Sequence, residues 1–239
     1  MQALNLIQEL WLTNGELFDV DAPRVEIAPG AVHLRGYVDA IETELRAAVN
    51  AITEAAPFRH MEVPGGHRMS VAMTNCGQVG WVSDRRGYRY DAIDPESGLP
   101  WPSMPVDVRA LAQRAASDAG YADFEPDACL INRYEPGARM GLHQDRDEPN
   151  LTAPIVSVSL GLPATFQFGG LRRTDPVQKV QLRHGDVVVF GGPSRLAYHG
   201  VLTLKTGNHP VWGATRINLT FRTAQEHRGF SGSVGRETR

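Results

Sequence analysis

From Cys129 to Arg222 the chain repeats one pattern, a strand-forming run of four to seven residues followed by a break, most of them rich in Gly, Pro, Asn or Asp. The runs are Cys129 to Tyr134, Met140 to Asp145, Ile155 to Leu160, Ala164 to Phe168, Val177 to Leu182, Asp186 to Phe190, Leu196 to His199 and Arg216 to Arg222. No helical period of useful length interrupts them. Eight short strands with turn residues between them predict a mostly β chain, a sandwich or jelly roll. The N-terminal half differs. Val25 to Val38 alternates around Pro29-Gly30 and predicts a hairpin. Asp39-Ala40-Ile41-Glu42 has the form of a capping box, and Ile41, Leu45, Ala48, Val49 and Ile52 predict a helix from Ala40 to Ala56, stopped by Pro57. A second helix is expected from Val106 to Ala119, with Gly120 as its stop. The two helices are expected to cover one outer face of the β structure. Between them, turns at Pro64-Gly65-Gly66, Asn75-Cys76-Gly77 and Asp94 to Pro105 surround strands near Met69 to Thr74, Trp81 to Ser83 and Arg89 to Tyr90, a β flap.

Length and composition fit one α+β unit. With 42% hydrophobic and 21% charged residues the chain is ordinary globular material. The expected organisation is an arm over 1–24, a single domain over 25–224 with a lid at about 60–105 and a core at about 127–224, and a disordered tail over 225–239. No stretch of about eighteen apolar residues exists, and Met1 to Leu12 lacks a signal-peptide pattern, so a cytoplasmic protein without membrane contact is expected. Cys76 and Cys129 are too few and too far apart for a disulfide framework or a C-x-x-C zinc site. A net charge of −3 gives no broad attraction to nucleic acid, so such a partner must meet a local basic face. Of the 24 basic residues only Lys179 and Lys205 are lysine, leaving 22 arginines, which weakens the meaning of any single one.

Candidate chemistry centres on His143-Gln144-Asp145. On an extended strand both ligand types face one side, and His199 in Ala197-Tyr198-His199-Gly200 would complete two histidines and one carboxylate. That set leaves coordination positions open, as non-haem Fe(II) and its O2 chemistry require. Along the last run Arg216, Asn218, Thr220 and Arg222 share one face and Ile217, Leu219 and Phe221 the other. The polar face is either the solvated side of an ordinary strand or the wall of a cavity. In the second case the two arginines, about 20 Å apart along the strand, are placed to grip the ends of a short dicarboxylate. Asn132 and Tyr134 form a similar pair on the strand before His143. Trp81, Tyr88 and Tyr90 flank Asp84-Arg85-Arg86-Gly87 and are either core aromatics or stacking surfaces for a base. Asp147 and Arg172-Arg173 are either solvated charges or the rim of a site. No G-x-S-x-G, P-loop, G-x-G-x-x-G or H-E-x-x-H occurs.

With these residues in place, the chain resembles the AlkB family of Fe(II)- and 2-oxoglutarate-dependent dioxygenases from about Ala31 to Thr223. The resemblance is carried by Met69 to Gly77, Asp127 to Tyr134, His143-Gln144-Asp145, Ile155 to Gly161, Tyr198-His199-Gly200 and Arg216 to Arg222. It implies a double-stranded β-helix, that is a jelly roll, flanked by N-terminal helices and a nucleotide-recognition lid. His143, Asp145 and His199 match iron ligands. Asn132, Tyr134, Arg216, Asn218 and Arg222 match positions that hold 2-oxoglutarate. Trp81, Tyr88, Tyr90, Asp147 and Arg173 fall on the substrate side. The implied reaction uses O2 and 2-oxoglutarate to demethylate bases such as 1-methyladenine and 3-methylcytosine, releasing formaldehyde, succinate and CO2. The implied partner is alkylated nucleic acid, single-stranded or with its base flipped out, met by a monomer. Alternatives are the same chemistry on RNA or another substrate, or a damaged-base binding module without turnover. His67 stands where the family has tyrosine and Phe190 where it has tryptophan, departures that bear on substrate preference.

Overall fold

A computed structural model describes residues 22–225; the expected N-terminal arm, apart from its last few residues, and nearly all of the tail lie outside that range. Alternation decides the architecture. β1 (Arg24–Ala28), β2 (Ala31–Leu34), β3 (Ala72–Gly77), β6 (Ala128–Tyr134), β8 (Ile155–Gly161), β11 (Val187–Phe190) and β13 (Arg216–Arg222) form a seven-stranded sheet in the order β1-β2-β11-β8-β13-β6-β3. β7 (Met140–His143), β9 (Ala164–Phe168), β10 (Gln178–Leu182) and β12 (His199–Val201) form a second sheet in the order β10-β9-β12-β7. All pairs are antiparallel, and the two sheets are those of a jelly roll.

One face of the large sheet is apolar. Val156, Val158, Val187, Val189, Ile217, Leu219 and Phe221 pack with Leu45, Val49 and Ile52 of α1 (Glu42–Ala55) and Val108, Leu111 and Ala115 of α2 (Val106–Asp118) in one buried cluster. The opposite face meets the small sheet, where Ile155, Val188 and Phe190 pack with Phe166, Phe168 and Leu182. Period-two alternation sends successive side chains of one strand into different cores. The helices therefore do cover one outer face.

Several boundaries differ from the sequence expectation, each for a local reason. Asn75-Cys76-Gly77 is not a turn; Asn75 is buried in β3, and its amide bonds both the backbone N–H and C=O of Trp81, so a polar residue sits there without cost in lost hydrogen bonds. The first helix begins at Glu42 after a 3-10 turn over Asp39–Ile41, with Ile41 at its N-cap and no side-chain cap, so the capping box does not open the helix. β7 stops at His143 rather than Asp145, and β12 starts at His199 rather than Leu196. Gln144 leaves the ladder because its amide donates to Leu171 O at 3.3 Å and Leu196 O at 2.6 Å. The flap is the separate hairpin β4 (Gly80–Asp84) and β5 (Gly87–Asp91). Among the described residues no helix is long and apolar enough to cross a membrane.

The β10–β11 connection is tied to β2 by one carboxylate. Asp186 accepts from His33 Nε2 at 2.9 Å, Gly36 N at 3.0 Å and Arg183 N at 2.8 Å. Burial opposes its charge, but these donors outweigh it and hold its carboxyl below the usual range. Asp186→Ala orphans them and is expected to cost about 2–4 kcal/mol in urea unfolding at pH 7. Because the folded pKa lies below the unfolded one, this contribution is present above about pH 4 and disappears as pH falls through the folded value. The gap between wild type and variant should therefore narrow in acid.

Candidate active site

His143 and His199 are direct cross-strand partners of β7 and β12, which brings their ring centroids to 4.4 Å at 49°. The close approach needs Gly200, since a Cβ there would stand 2.7 Å from Met140 O and 3.0 Å from Gly141 O. Each ring is fixed by the same device. His143 Nδ1 lies 2.9 Å from Gly141 O and His199 Nδ1 lies 3.0 Å from Ala197 O. A carbonyl only accepts, so Nδ1 carries the proton and Nε2 presents its lone pair inward. Those Nε2 atoms lie 3.5 Å and 3.8 Å from Asp145 Oδ1 and Oδ2. Ligand atoms of the three residues all fall within 4.8 Å of one another.

The electrostatics favour a cation at this point. Burial and the neighbouring His143 lower the pKa of His199 to about 4, so it is neutral at physiological pH. Burial works against the charged form of His143 too, but Asp145 outweighs it and raises the pKa. Asp145 is itself opposed by burial and still held well below the usual carboxylate range, chiefly by Arg222, whose Nε and Nη2 both donate to Oδ2 at 3.0 and 2.5 Å. Two neutral-capable imidazoles and an ionised carboxylate are a donor set that fits Fe(II).

A cavity adjoins the cluster, with Asn132, Tyr134, Ser157, Arg216, Asn218 and Arg222 on its polar side together with His143, Asp145 and His199, and Leu130, Ile155, Phe166 and Phe190 on its apolar side. The polar face of β13 is thus buried, not solvated. Arg216 is only 1% exposed; its Nη2 donates to Ser159 Oγ at 2.9 Å and its guanidinium lies over the Tyr134 ring at 5.0 Å. Its Nε and Nη1, and Asn132 Oδ1, are buried with no hydrogen-bond partner. Unpaired donors on a buried cation are costly. A carboxylate in this cavity would satisfy them, which is the fit expected of a 2-oxoglutarate site.

Of the residues expected on the substrate side, Trp81 and Tyr88 stack at 5.6 Å and 14°, with Tyr88 48% exposed. Trp81 Nε1 donates to Asp147 Oδ2 at 2.9 Å. Arg173 Nη1 donates to Leu142 O at 2.8 Å, and its guanidinium lies 6.0 Å from the Tyr198 ring. Tyr90, opposite Trp81 in the hairpin, donates its hydroxyl to Glu148 Oε1 at 2.5 Å. Glu148 and Arg195 were not singled out by the sequence reading, yet they are 5% and 3% exposed and joined at 3.1 Å. Arginine abundance hid Arg195. Ser157 and Ser159 were also missed, although their i, i+2 spacing, alternating with Val156, Val158 and Leu160 in β8, marks a polar face.

A jelly roll whose cavity sets two histidines and a carboxylate beside a buried arginine defines a non-haem iron dioxygenase that uses 2-oxoglutarate. The chain belongs to the AlkB family of the 2OG-Fe(II) oxygenase superfamily, whose family model matches residues 30–222. It is 57% identical over 206 residues to the alpha-ketoglutarate-dependent dioxygenase AlkB of Escherichia coli (strain K12), covering 86% of this chain and 95% of that protein. Identity to the AlkB of Salmonella typhimurium is 56% over 212 residues, covering 88% and 98%. The solved structure of OsALKBH1 matches with a TM-score of 0.72 at 30% identity, over 84% of this chain and 100% of that one.

Arg216→Met separates fold from binding. Replacing a buried, underpaired cation by an apolar side chain of similar length is expected to leave the ligand-free thermal midpoint unchanged or raise it, an effect of about 0–4 kcal/mol. The same variant should lose the rise in midpoint that 2-oxoglutarate produces in the Fe(II)-loaded wild type, both read by calorimetry.

Proposed function

We propose that the protein repairs N-alkylated bases such as 1-methyladenine and 3-methylcytosine in DNA by oxidative demethylation, acting as a cytoplasmic monomer. The observation that carries this reading is the Trp81–Tyr88 stack bonded to Asp147, two residues beyond the Asp145 ligand. It sets an aromatic, anionic surface beside an oxidising centre. The support for the cofactors is the ligand cluster and the unpaired Arg216 donors.

In this reading His143, Asp145 and His199 hold Fe(II). Arg216 and Arg222 take the carboxylates of 2-oxoglutarate, aided by Asn132, Tyr134 and Asn218. With Fe(II) bound, the chemistry supplied is activation of O2: one oxygen atom goes to 2-oxoglutarate, which leaves as succinate and CO2, and the other enters a C–H bond of the N-methyl group, after which the hydroxymethyl product releases formaldehyde. The chain's other residues select and orient. Trp81 and Tyr88 receive a base that has left its stack, because a methyl on the pairing edge is out of reach within a duplex. The Asp147 carboxylate favours a base that alkylation has made cationic. Arg173 and the flap arginines meet phosphates.

The test is turnover of methylated oligonucleotides with Fe(II), 2-oxoglutarate and O2, following formaldehyde and succinate on DNA and RNA in parallel. Methylated DNA should yield the two products in equal amounts. His143→Ala should reduce the rate by about three orders of magnitude or more; a variant that stays active removes the metal assignment. Asp147→Asn should lower the preference for cationic over neutral lesions by about five-fold. An unchanged ratio would sink the electrostatic role of Asp147.

A further inference from the structure

The segment after the Asp145 ligand makes two contacts with the flap hairpin, one to each strand. Asp147 accepts from Trp81 of β4, and Glu148 accepts from Tyr90 of β5; Trp81 and Tyr90 are themselves register partners. The Glu148 oxygen that receives the Tyr90 hydroxyl, Oε1, also lies 3.2 Å from Arg222 Nε. Its other oxygen receives Arg195 Nη2 at 3.1 Å. Arg195 is immobilised in turn, with Nε on Ala153 O at 2.9 Å and Nη1 on the Asp145 carbonyl at 2.7 Å.

Glu148, Arg195 and Tyr90 line no part of the cavity, whereas Arg222 does. With Nε and Nη2 of Arg222 taken by Glu148 and Asp145, Nη1 has no partner among the described residues and is left for a ligand. A guanidinium on a long flexible side chain loses considerable rotamer freedom when fixed. Two carboxylates, Asp145 on the cavity wall and Glu148 from outside it, bear that cost before any ligand arrives.

We propose that Glu148 is a positioning residue that couples the flap hairpin to the cosubstrate: one carboxylate oxygen holds both the Tyr90 hydroxyl and Arg222, so seating of the hairpin and binding of a 2-oxoglutarate carboxylate strengthen each other. This rests on the assignment of Arg222 to 2-oxoglutarate and of the flap to nucleic acid. Loss of the Tyr90 hydroxyl frees Glu148 Oε1 to shift, and Arg222 shifts with it. The coupling is reciprocal, so 2-oxoglutarate should also tighten binding of a methylated oligonucleotide.

The experiment titrates 2-oxoglutarate anaerobically into the Fe(II)-loaded full chain by calorimetry, for wild type, Tyr90→Phe, Glu148→Gln and the double variant, with thermal midpoints recorded for each. Tyr90→Phe is expected to weaken 2-oxoglutarate about five-fold although it touches no ligand, and Glu148→Gln by about ten-fold or more. The double variant should bind no more weakly than Glu148→Gln alone, because the hydroxyl acts through that carboxylate. The proposal is overturned if Tyr90→Phe lowers the midpoint yet binds 2-oxoglutarate as wild type does, or if the two losses multiply in the double variant. Should Glu148→Gln fail to fold, Tyr90→Phe decides alone: weaker 2-oxoglutarate binding at an unchanged midpoint supports the coupling, and unchanged binding ends it. These titrations need no nucleic acid, so they stay readable even if wild type releases no formaldehyde from methylated DNA.

Discussion

Asp145, Glu148, Arg195 and Arg222 are withdrawn from water together, and the site depends on the fact that each neutralises another. An isolated carboxylate or guanidinium in this interior would cost several kcal/mol. Here Arg222 bridges the two carboxylates, Arg195 closes the far side of Glu148, and backbone carbonyls at Ala153 and Asp145 take up the remaining Arg195 donors. Two positive and two negative groups leave the cluster neutral. The triad is thereby set in a rigid frame whose charge does not repel an incoming dication or dicarboxylate.

Arg216 is the counterpart. It is as deeply buried as its strand neighbour Arg222, but Ser159 and the Tyr134 ring are its chief company, and burial pushes its pKa down against the opposing effect of Tyr134. One arginine of β13 is paired within the protein and the other is kept short of partners. The strand therefore carries at one end a cation already held by two carboxylates and at the other a cation with buried donors unpaired.

The strands, both helices and the two faces of β13 were legible in the sequence because alternation and helical period are local properties of the chain. His143, Asp145 and His199 were legible as ligand types, with the resemblance to the AlkB family joining them. What the sequence hid depends on contacts between distant segments. Asn75 reads as a turn residue until Trp81 is placed against it, and Glu148 reads as one acid in a charged loop until Arg195 and Tyr90 arrive from positions 47 and 58 residues away. The early end of β7 has the same origin, since Gln144 is drawn out of the ladder by carbonyls of two other loops.

Among the described residues, β7 lies at the edge of its sheet and has β12 as its only strand neighbour. Short edge strands open most readily, and this one carries His143, while His199 sits on the interior strand beside it. An ion held by both would act as a cross-link between segments far apart in the chain, closing a loop whose entropy the polypeptide alone must otherwise meet. Occupancy of the centre would then add to whatever holds that sheet edge closed.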